Sequence, residues 1–366
     1  MTWQEFEQRF SIQLNEQQKQ AVQTVEGPVL LLAVPGSGKT TVLVTRLGYM
    51  IHCKGIDPRR ILTVTYTVAA TKDMAVRFAA KFGPELAEQL EFRTINGICA
   101  KVLQYYGYRT GKTPHQLLND EKRIAGILAD IYQRVERVYP TDGDLKNIRT
   151  LITYIKNMIL NEDEIEALDE GAECKISAIY REYCSKLKEL QMIDYDDQMV
   201  YAYVMLKKIP WLLAYFQELY PYICVDEAQD TSKIQHAIIA LLASRTENLF
   251  MVGDEDQSIY GFRAAYPEAL LEFEQRHRGA KVLLMEENFR SDANIVAAAD
   301  HFIQKNTLRH EKHMRASRES VQQIKEISVG TRKTQYAYLA KVAEGCTTET
   351  AVLYREHECA LPLIDL

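Results

Sequence analysis

A glycine-rich turn beside a lysine and two threonines is the first feature of the sequence that could do chemistry. An apolar run over 29–34 leads into Pro35-Gly36-Ser37-Gly38-Lys39-Thr40-Thr41, and a helical pattern follows. The glycines allow consecutive backbone N–H groups and the N-terminus of the next helix to face an anion. Lys39 would reach the β- and γ-phosphates, and the Thr40 hydroxyl would bind magnesium. Although Ala33 replaces the usual first glycine, the pattern predicts a nucleoside-triphosphate site.

Two adjacent acids follow another apolar run. Residues 222–225 read Tyr-Ile-Cys-Val, and Asp226 and Glu227 come directly after them. Two carboxylates at the end of a buried strand are costly unless a cation or solvent lies beside them. The carboxyl edge of a parallel sheet would bring them to Thr40 and the metal. We therefore expect Asp226 to bind Mg²⁺ and Glu227 to act as the base that orients an attacking water.

Short apolar or β-branched runs alternate with helical patterns along much of the chain, which predicts an α/β fold with a parallel sheet. The runs are 29–34, 61–66, 222–225, 249–252 and 282–285. Between about 105 and 195 no strand-like run occurs, and charged helical periodicity over 120–137 and 176–190 predicts a helical insertion. Its acidic run, 162–173, carries seven carboxylates and is expected to be a solvated helix and loop.

Composition limits the class of protein. With 366 residues, 47% hydrophobic and 26% charged, the chain should form two or three compact units and is neither collagen-like nor disordered. The net charge of −6 argues against holding nucleic acid by bulk positive charge, although residues 301–335 carry eight Lys plus Arg against three Glu. Seven cysteines show no disulfide or zinc spacing. Neither a bilayer-length apolar run nor a secretion signal is found, which predicts a cytoplasmic protein without a membrane partner.

Two longer segments resemble a known family. Residues 226–231 read Asp-Glu-Ala-Gln-Asp-Thr, and residues 252–263 read Val-Gly-Asp-Glu-Asp-Gln-Ser-Ile-Tyr-Gly-Phe-Arg. Together they closely resemble the superfamily 1 DNA helicases of the UvrD/Rep type. Further family-like segments stand in family order at 14–22, 61–67, 94–97, 193–197, 288–291 and 353–355. The resemblance covers essentially the whole chain but only the first part of the family's length.

The resemblance implies ATP and Mg²⁺ as cofactors and gives roles to individual residues. Gln18 would read the adenine edge, and the Phe289 ring would stack on the base. Arg263 and Arg290 would reach the γ-phosphate and stabilise charge in the transition state. Gln257 would lie between the γ-phosphate and the DNA groove. The implied catalytic set is Lys39, Glu227, Gln257, Arg263 and Arg290, and the implied nucleotide contacts are Gln18, Gly36, Ser37, Gly38, Lys39, Thr40, Thr41, Phe289 and Arg290.

The same resemblance implies single-stranded DNA and single-strand/duplex junctions as partners. Bases would stack on aromatic side chains while polar groups contact phosphates. By matching position, the aromatic candidates are Tyr66, Tyr195, Tyr260 and Phe262, and the polar candidates are Thr67, Thr94 and Asn96. Each aromatic could equally be a core residue. Val68-Ala69 and Asn96-Gly97 stand where the family usually has Asn-Lys and His-Ser, which predicts weaker strand affinity.

The implied architecture is a RecA-like P-loop NTPase domain from 1–104 and 195–285, with an inserted helical subdomain at 105–194. Residues 286–366 would start a second RecA-like domain, with strands at 324–329 and 350–354. No later family motif follows Arg355, so we expect an N-terminal portion of a longer protein.

Two functional hypotheses follow from this architecture. One is an ATP-dependent DNA helicase or translocase moving 3′ to 5′, with repair or replication proteins as partners. The other is a truncated module that holds ATP and single-stranded DNA without unwinding. An unrelated P-loop kinase or GTPase is disfavoured, because Gln18, Gln257 and Phe289 would then have no role.

Overall fold

The computed structural model describes residues 1–259, 261, 264–321 and 323–364. These residues form two compact units, Met1–Glu319 and Ser320–Leu366. Three of the predicted site residues, Tyr260, Phe262 and Arg263, lie outside the described residues. Within the described part of the chain, no helix combines the length and apolarity needed to cross a membrane.

A parallel sheet forms the centre of the first unit. In chain order the strands are β1 Val29–Ala33, β2 Ile61–Thr65, β3 Glu91–Thr94, β4 Gln116–Leu117, β5 Met192–Ile193, β6 Tyr222–Val225, β7 Leu249–Gly253, β8 Lys281–Met285, β9 Glu287–Asn288 and β10 Arg315–Ala316. Six described strands make the main sheet in the spatial order β3-β2-β6-β7-β1-β8, and all neighbours are parallel. The five strands predicted from apolar runs are confirmed, and β3 was missed because Glu-Phe-Arg-Thr at a sheet edge is not apolar.

Helices cover both faces of this sheet and build a separate bundle. In the first unit they are α1 Trp3–Phe10, α2 Glu16–Gln23, α3 Lys39–His52, α4 Val68–Phe82, α5 Pro84–Ala87, α6 Ile95–Thr110, α7 Glu121–Glu136, α8 Asp142–Met158, α9 Glu162–Ala167, α10 Ile176–Glu189, α11 Tyr195–Lys208, α12 Pro210–Leu219, α13 Lys233–Ala243, α14 Glu268–Leu271, α15 Phe273–Arg276 and α16 Ala293–Ile303. The second unit contains α17 Arg332–Glu344 and α18 His357–Ile364.

The core is divided by the sheet because successive side chains of a strand point to opposite faces. Leu30 and Leu32 of β1 pack in a cluster with residues of α6, α11, α12 and α13. Val29 and Leu31 pack on the other side with residues of α2, α3 and α4. A strand buried on both faces reads as a continuous apolar run, which is why the sequence pattern identified it.

The helical bundle at α7, α8 and α10 has a core of its own. Ile124, Leu128, Ile152 and Ile179 are buried in this cluster. The expectation of no strand in this region was wrong, because β4 and β5 form a two-residue parallel pair. That pair is too short to leave a sequence pattern. The acidic run forms α9 and a following turn, and its Glu162 and Glu166 side chains are exposed and paired with Arg181, as expected for a solvated segment.

The described residues of the second unit are helical where they are regular. The strands expected at 324–329 and 350–354 do not form, so that prediction was wrong. β-Branched residues favour strands only when a neighbouring strand completes the backbone hydrogen bonds. No such partner strand occurs among the residues described in this unit. The structure also groups residues 286–319 with the first unit.

One glycine sets the close approach of α3 and α4. A Cβ on Gly48 would overlap the ring of Phe82 at the end of α4, whereas a Cβ on Gly126 in α7 would meet open space. We expect Gly48→Ala to destabilise the fold by about 1–3 kcal/mol through overpacking. Gly126→Ala should instead stabilise it by about 0.5–1 kcal/mol through helix propensity. Urea unfolding of both variants checks this, and a Gly48→Ala curve superimposable on the parent would contradict it.

Candidate nucleotide and DNA site

The phosphate-type loop lies between β1 and α3 and holds its shape through left-handed glycines. Gly36 and Gly38 have φ values of 71° and 87°, a region that residues with a Cβ rarely adopt. The buried Ser37 hydroxyl donates to the Val34 carbonyl at 2.6 Å. Gly38 caps α3 without a side chain. The first-turn N–H groups of α3 are therefore available to an anion rather than to a capping side chain.

Lys39 and Glu227 meet at the carboxyl edge of the sheet. The Lys39 Nζ lies 2.8 Å from Glu227 Oε2, with the lysine side chain 13% exposed. Glu227 follows β6 and has φ 50° and ψ 47°. A non-glycine residue in this region is strained, and such strain is often found at functional sites. The structure thus brings together the lysine and the base predicted from separate motifs.

The two adjacent acids have opposite electrostatic environments. Burial and the neighbouring Glu227 charge raise the pKa of Asp226 to about 6, against the opposing effect of Lys39. Burial also raises the pKa of Glu227, but the charge and hydrogen bond of Lys39 outweigh it, so that pKa lies below its usual range. Glu227 is ionised at neutral pH, whereas Asp226 is a buried carboxyl group that a cation would stabilise.

Gln18 connects α2 to the loop. Its Nε2 donates to the Ser37 carbonyl at 2.9 Å, and its Oε1 accepts from the Asn15 backbone N–H at 3.1 Å in a capping box. Gln18 is buried. Its amide is therefore fixed against the loop, beside Gly38, whose absent Cβ would lie 3.1 Å from Gln18 Nε2.

A turn after β9 brings Phe289 and Arg290 to the same loop. Asn288 is buried; its Nδ2 donates to the Pro35 carbonyl at 2.7 Å, and its Oδ1 accepts from the backbone N–H groups of Arg290 and Ser291, both at 2.8 Å. The Phe289 N–H donates to the Gly36 carbonyl at 3.0 Å. The Phe289 ring is 38% exposed, and Arg290 is exposed. Both side chains are thus free of the core beside the loop.

A hydrogen-bonded relay runs from Glu227 to Gln257. Gln229 Nε2 donates to Glu227 Oε2 at 2.8 Å, and Gln229 Oε1 accepts from the Asp254 N–H at 3.1 Å. Gln257 Nε2 then donates to Asp254 Oδ2 at 2.7 Å. The structure therefore links Gln257 to the predicted base through two residues, by the side chain of Gln229 and by both the backbone N–H and the carboxylate of Asp254.

A cavity of about 680 Å³ lies between α8 and part of the sheet domain. Its lining residues are Tyr66, Asn96, Lys146, Arg149, Thr150, Thr153, Asn157, Asp196, Met199, Asp230, Ser232 and Gln235. Tyr66 and Asn96 were predicted to contact DNA, and the basic pair Lys146 and Arg149 of α8 was not. Single residues of α8 carried no motif, so only the fold could bring them to this cavity.

Two other predicted DNA residues that the structure describes, Thr67 and Thr94, have structural roles as helix caps. Thr67 Oγ1 accepts from the Ala70 N–H at 3.0 Å as the cap of α4. Thr94 Oγ1 accepts from the Gly97 N–H at 3.1 Å as the cap of α6. Tyr195 is 50% exposed at the start of α11 and lines a smaller neighbouring cavity that also contains Arg149.

Comparison with known families decides the affiliation of the chain. The family model described as UvrD/REP helicase N-terminal domain matches residues 14–278. The chain belongs to this family. Its α/β architecture with a parallel central sheet accordingly represents the RecA-like domain of a UvrD/REP helicase.

Curated relatives of this UvrD/REP-type chain carry the name ATP-dependent DNA helicase PcrA. The Staphylococcus epidermidis protein is 31% identical over 349 residues, which are 93% of this chain and 48% of the relative. The Leuconostoc citreum protein is 33% identical over 82% of this chain and 40% of its own length. The Bacillus subtilis protein is 33% identical over 82% of this chain and 41% of its own length. The chain thus spans about half the length of the curated relatives it matches, or somewhat less.

Two residues that hold the candidate nucleotide site together were missed as site residues. Gln229 and Asn288 stood inside the quoted motifs, but neither type performs acid–base or phosphate chemistry, so neither was assigned a role. Their function is to hold other groups: Gln229 holds Glu227 and Asp254, and Asn288 holds the turn of Phe289. The sequence feature that could have identified both is an amide side chain two positions away from a predicted catalytic residue, Glu227 for Gln229 and Arg290 for Asn288.

Proposed function

We propose that this chain binds Mg²⁺-ATP and hydrolyses it in the service of 3′ to 5′ movement on single-stranded DNA, as part of an ATP-dependent DNA helicase. The observation that carries the proposal is the 2.8 Å ion pair of Lys39 with Glu227, formed between the glycine loop and the tip of β6. Family membership and the names of the curated relatives support it.

The residues present fit a magnesium nucleotide. Asp226 and Thr40 offer the carboxylate and hydroxyl oxygens that Mg²⁺ prefers, and Asp226 is a buried carboxyl group with a pKa raised to about 6. When bound, the metal would neutralise charge on the phosphates. The nucleotide would be held by the backbone and side chains of Gly36, Ser37, Gly38, Lys39, Thr40, Thr41, Gln18, Phe289 and Arg290, with Arg263 as a second arginine toward the γ-phosphate.

Glu227 would orient the attacking water, and Lys39 would control when it does so. In this structure Lys39 neutralises Glu227. Phosphate oxygens compete for the same ammonium group, so nucleotide binding would draw Lys39 away and leave Glu227 as an uncompensated base. Gln257, joined to Glu227 through Gln229 and Asp254, would transmit the state of the phosphates toward the strand.

Single-stranded DNA would occupy the cavity between the sheet domain and α8. Tyr66 would stack on a base, and Lys146 and Arg149 would attract the backbone. Further contacts would come from Asn96, Thr67, Thr94 and Tyr195 and from Tyr260 and Phe262. Single-strand/duplex junctions would be the physiological substrate, and repair or replication proteins in the cytoplasm would be the partners.

The proposed division of the chain is a RecA-like domain from 1–104 and 195–285, a helical insertion at 105–194 and the beginning of a second RecA-like domain at 286–366. The separate core of α7, α8 and α10 supports the insertion. The start of α11 at Tyr195 coincides with its second boundary, whereas α6 continues to Thr110 across the first one.

The test of this function is ATP hydrolysis measured with and without single-stranded DNA. We expect DNA to stimulate turnover, and Tyr66→Ala to raise the half-saturating DNA concentration about tenfold, the effect of one stacked base. The KM for ATP of Tyr66→Ala, measured without DNA, should equal that of the parent. Tyr108→Ala is the matched control, because Tyr108 is 84% exposed and does not line the cavity. The proposal would be contradicted if DNA did not change the rate of ATP hydrolysis, or if Tyr66→Ala and the parent had the same half-saturating DNA concentration.

A further inference from the structure

Three consecutive acids after β7 are buried around one lysine. Lys312 Nζ lies 3.1 Å from Asp254 Oδ1, 2.8 Å from Glu255 Oε1 and 2.9 Å from Asp256 Oδ2. The Lys312 side chain is 1% exposed, and the three carboxylates are 1%, 3% and 8% exposed. No predicted role for the 254–257 motif involves this lysine, which is distant from it in sequence.

The segment that carries Lys312 is held to the same acids at two more points. Arg309 forms a two-pronged contact with Asp256, with Nε 3.0 Å and Nη2 2.9 Å from Oδ2. The His310 backbone N–H donates to Glu255 Oε1 at 2.8 Å. Arg309 also donates to the Lys312 carbonyl at 3.0 Å, which fixes the segment on itself. Asp256 is therefore contacted by Arg309 as well as Lys312, and Glu255 is contacted by the His310 backbone as well as Lys312.

The contact with Asp254 has a specific geometry. Lys312 Nζ forms an ion pair with one oxygen of this carboxylate, Oδ1, which also accepts from the Asp256 backbone N–H at 3.2 Å, while Gln257 Nε2 donates to the other, Oδ2, at 2.7 Å. A carboxylate held at both oxygens cannot rotate, so its orientation and that of the Gln257 amide are fixed together. The Asp254 N–H in turn donates to Gln229, whose amide holds Glu227. The Asp254 carboxylate thus connects Lys312 to Gln257, whereas the Asp254 backbone connects this residue to Gln229 and Glu227.

Stability alone gives a weak reason for such an arrangement. Removing four charged groups from water is expensive, and buried ion clusters are often no more stabilising than apolar residues of the same volume. What the cluster provides that apolar packing cannot is a fixed direction for the Asp254 carboxylate. That direction matters only to the groups hydrogen-bonded to it.

We propose that Lys312 is a positioning residue for ATP hydrolysis, which acts through the Asp254 carboxylate on Gln257. The inference rests on the proposed function and adds a residue to it. The ion pairs of Lys312 are with Asp254, Glu255 and Asp256, so it acts on Gln257 through the Asp254 carboxylate. It also ties the chain beyond the Phe289 turn to this predicted catalytic side chain.

The test is the ATPase activity of Lys312→Met in the 366-residue chain, with Lys156→Met as matched control. Lys156 is equally buried, at 1% exposure, and pairs with Asp194 and Asp197 at 2.7 and 2.8 Å in the helical part. We expect Lys312→Met to lower kcat about tenfold, the scale of a mispositioned catalytic group, with the ATP KM little changed. Lys156→Met should lower the thermal stability about as much as Lys312→Met does, but should leave the kcat measured without DNA unchanged. Equal kcat losses in the two variants would overturn the inference.

A double-mutant cycle separates positioning from general loosening. In a Gln257→Ala background Lys312→Met should lower kcat by less than about threefold, because residues acting in one relay are not additive. An undiminished loss in that background would overturn the inference. If Lys312→Met alone does not fold, Lys312→Met/Asp256→Asn removes one buried negative charge with the lysine and should show the same kcat loss.

Failure of this inference can be distinguished from failure of the proposed function by a measurement that does not require ATP hydrolysis. If the parent chain hydrolyses no ATP, the proposed function fails, and hydrogen exchange tests the relay directly. Lys312→Met should then speed exchange of the amides at 254–257 relative to Lys156→Met. Unchanged exchange at this segment would overturn the positioning role.

Discussion

Lys39→Ala is expected to abolish ATP hydrolysis, lowering kcat/KM by a factor of about 10³ or more, the scale of removing a charge that contacts the transferring phosphoryl group. The Lys39 side chain is only 13% exposed and follows the loop formed by Gly36 and Gly38. No other lysine lies in that loop or in the first turn of α3. No second lysine of these segments could therefore replace it.

The variant also changes the electrostatics of the tip of β6. Lys39 is the group that brings the pKa of Glu227 below its usual range against the effect of burial, and it also opposes the rise in the pKa of Asp226. Without it the pKa values of both carboxyl groups should rise, which favours their protonated, uncharged forms. Loss of the phosphate contact and loss of an ionised base would both lower the rate of ATP hydrolysis.

Initial rates over a range of ATP concentrations, together with binding of a fluorescent ATP analogue, measure this effect. Lys186→Ala is the control, because it removes one Lys–Glu pair of the same 2.8 Å length from the surface of α10. Its kinetics should match those of the parent. Residual turnover within about tenfold of the parent in Lys39→Ala would show that the loop lysine is not a phosphate ligand here.

The elements that hold this site differ in how visible they are in the sequence. β1 and β6 are buried on both faces, so each is a run of apolar residues that ends at a motif. The glycine loop and Asp226-Glu227 were predicted for that reason, and the structure brings Lys39 and Glu227 into contact. β3 is an edge strand of mixed polarity, and its position followed only from pairing with β2.

Groups that act through partners distant in sequence could not be predicted. Asn288 has a role only because its amide reaches Pro35 across 253 positions. Lys312 looked like one of several cations in a basic segment, yet the fold buries it among three acids. Strand propensity also failed at 324–329, where β-branched residues find no partner strand among the described residues. Local patterns report burial and turns, whereas these roles depend on tertiary pairing.

Glu227→Gln is expected to separate binding from turnover. The amide has nearly the same shape as the carboxylate but cannot accept a proton from water, so kcat should fall by about 10²–10⁴, the usual contribution of a general base. Backbone strain does not differ between the two residues, because both carry a Cβ at the same φ of 50°. The fold and the hydrogen bond from Gln229 should survive the change.

Affinity for ATP should be retained or increased in this variant, and the structure gives the reason. The phosphates of a nucleotide must compete with Glu227 for Lys39, whose Nζ lies 2.8 Å from the carboxylate. A neutral glutamine side chain in place of Glu227 would hold the ammonium group more weakly, so less of the binding free energy would go into breaking the pair. Equilibrium titration with a fluorescent ATP analogue measures the affinity, and phosphate release measures turnover.

A second glutamate provides an unusually close control for this prediction. Glu247 also has a left-handed backbone, with φ 56°, and its carboxylate lies 3.0 Å from His277 Nδ1, away from the glycine loop. Glu247→Gln therefore repeats the chemistry and the backbone conformation of the substitution without touching Lys39, and its turnover should equal the parent's. Hydrolysis by Glu227→Gln at the parental rate would remove the base assignment. Weaker ATP binding would instead show that Glu227 prepares Lys39 for the phosphates rather than competing for it, because the ion pair would then orient the ammonium group toward the loop.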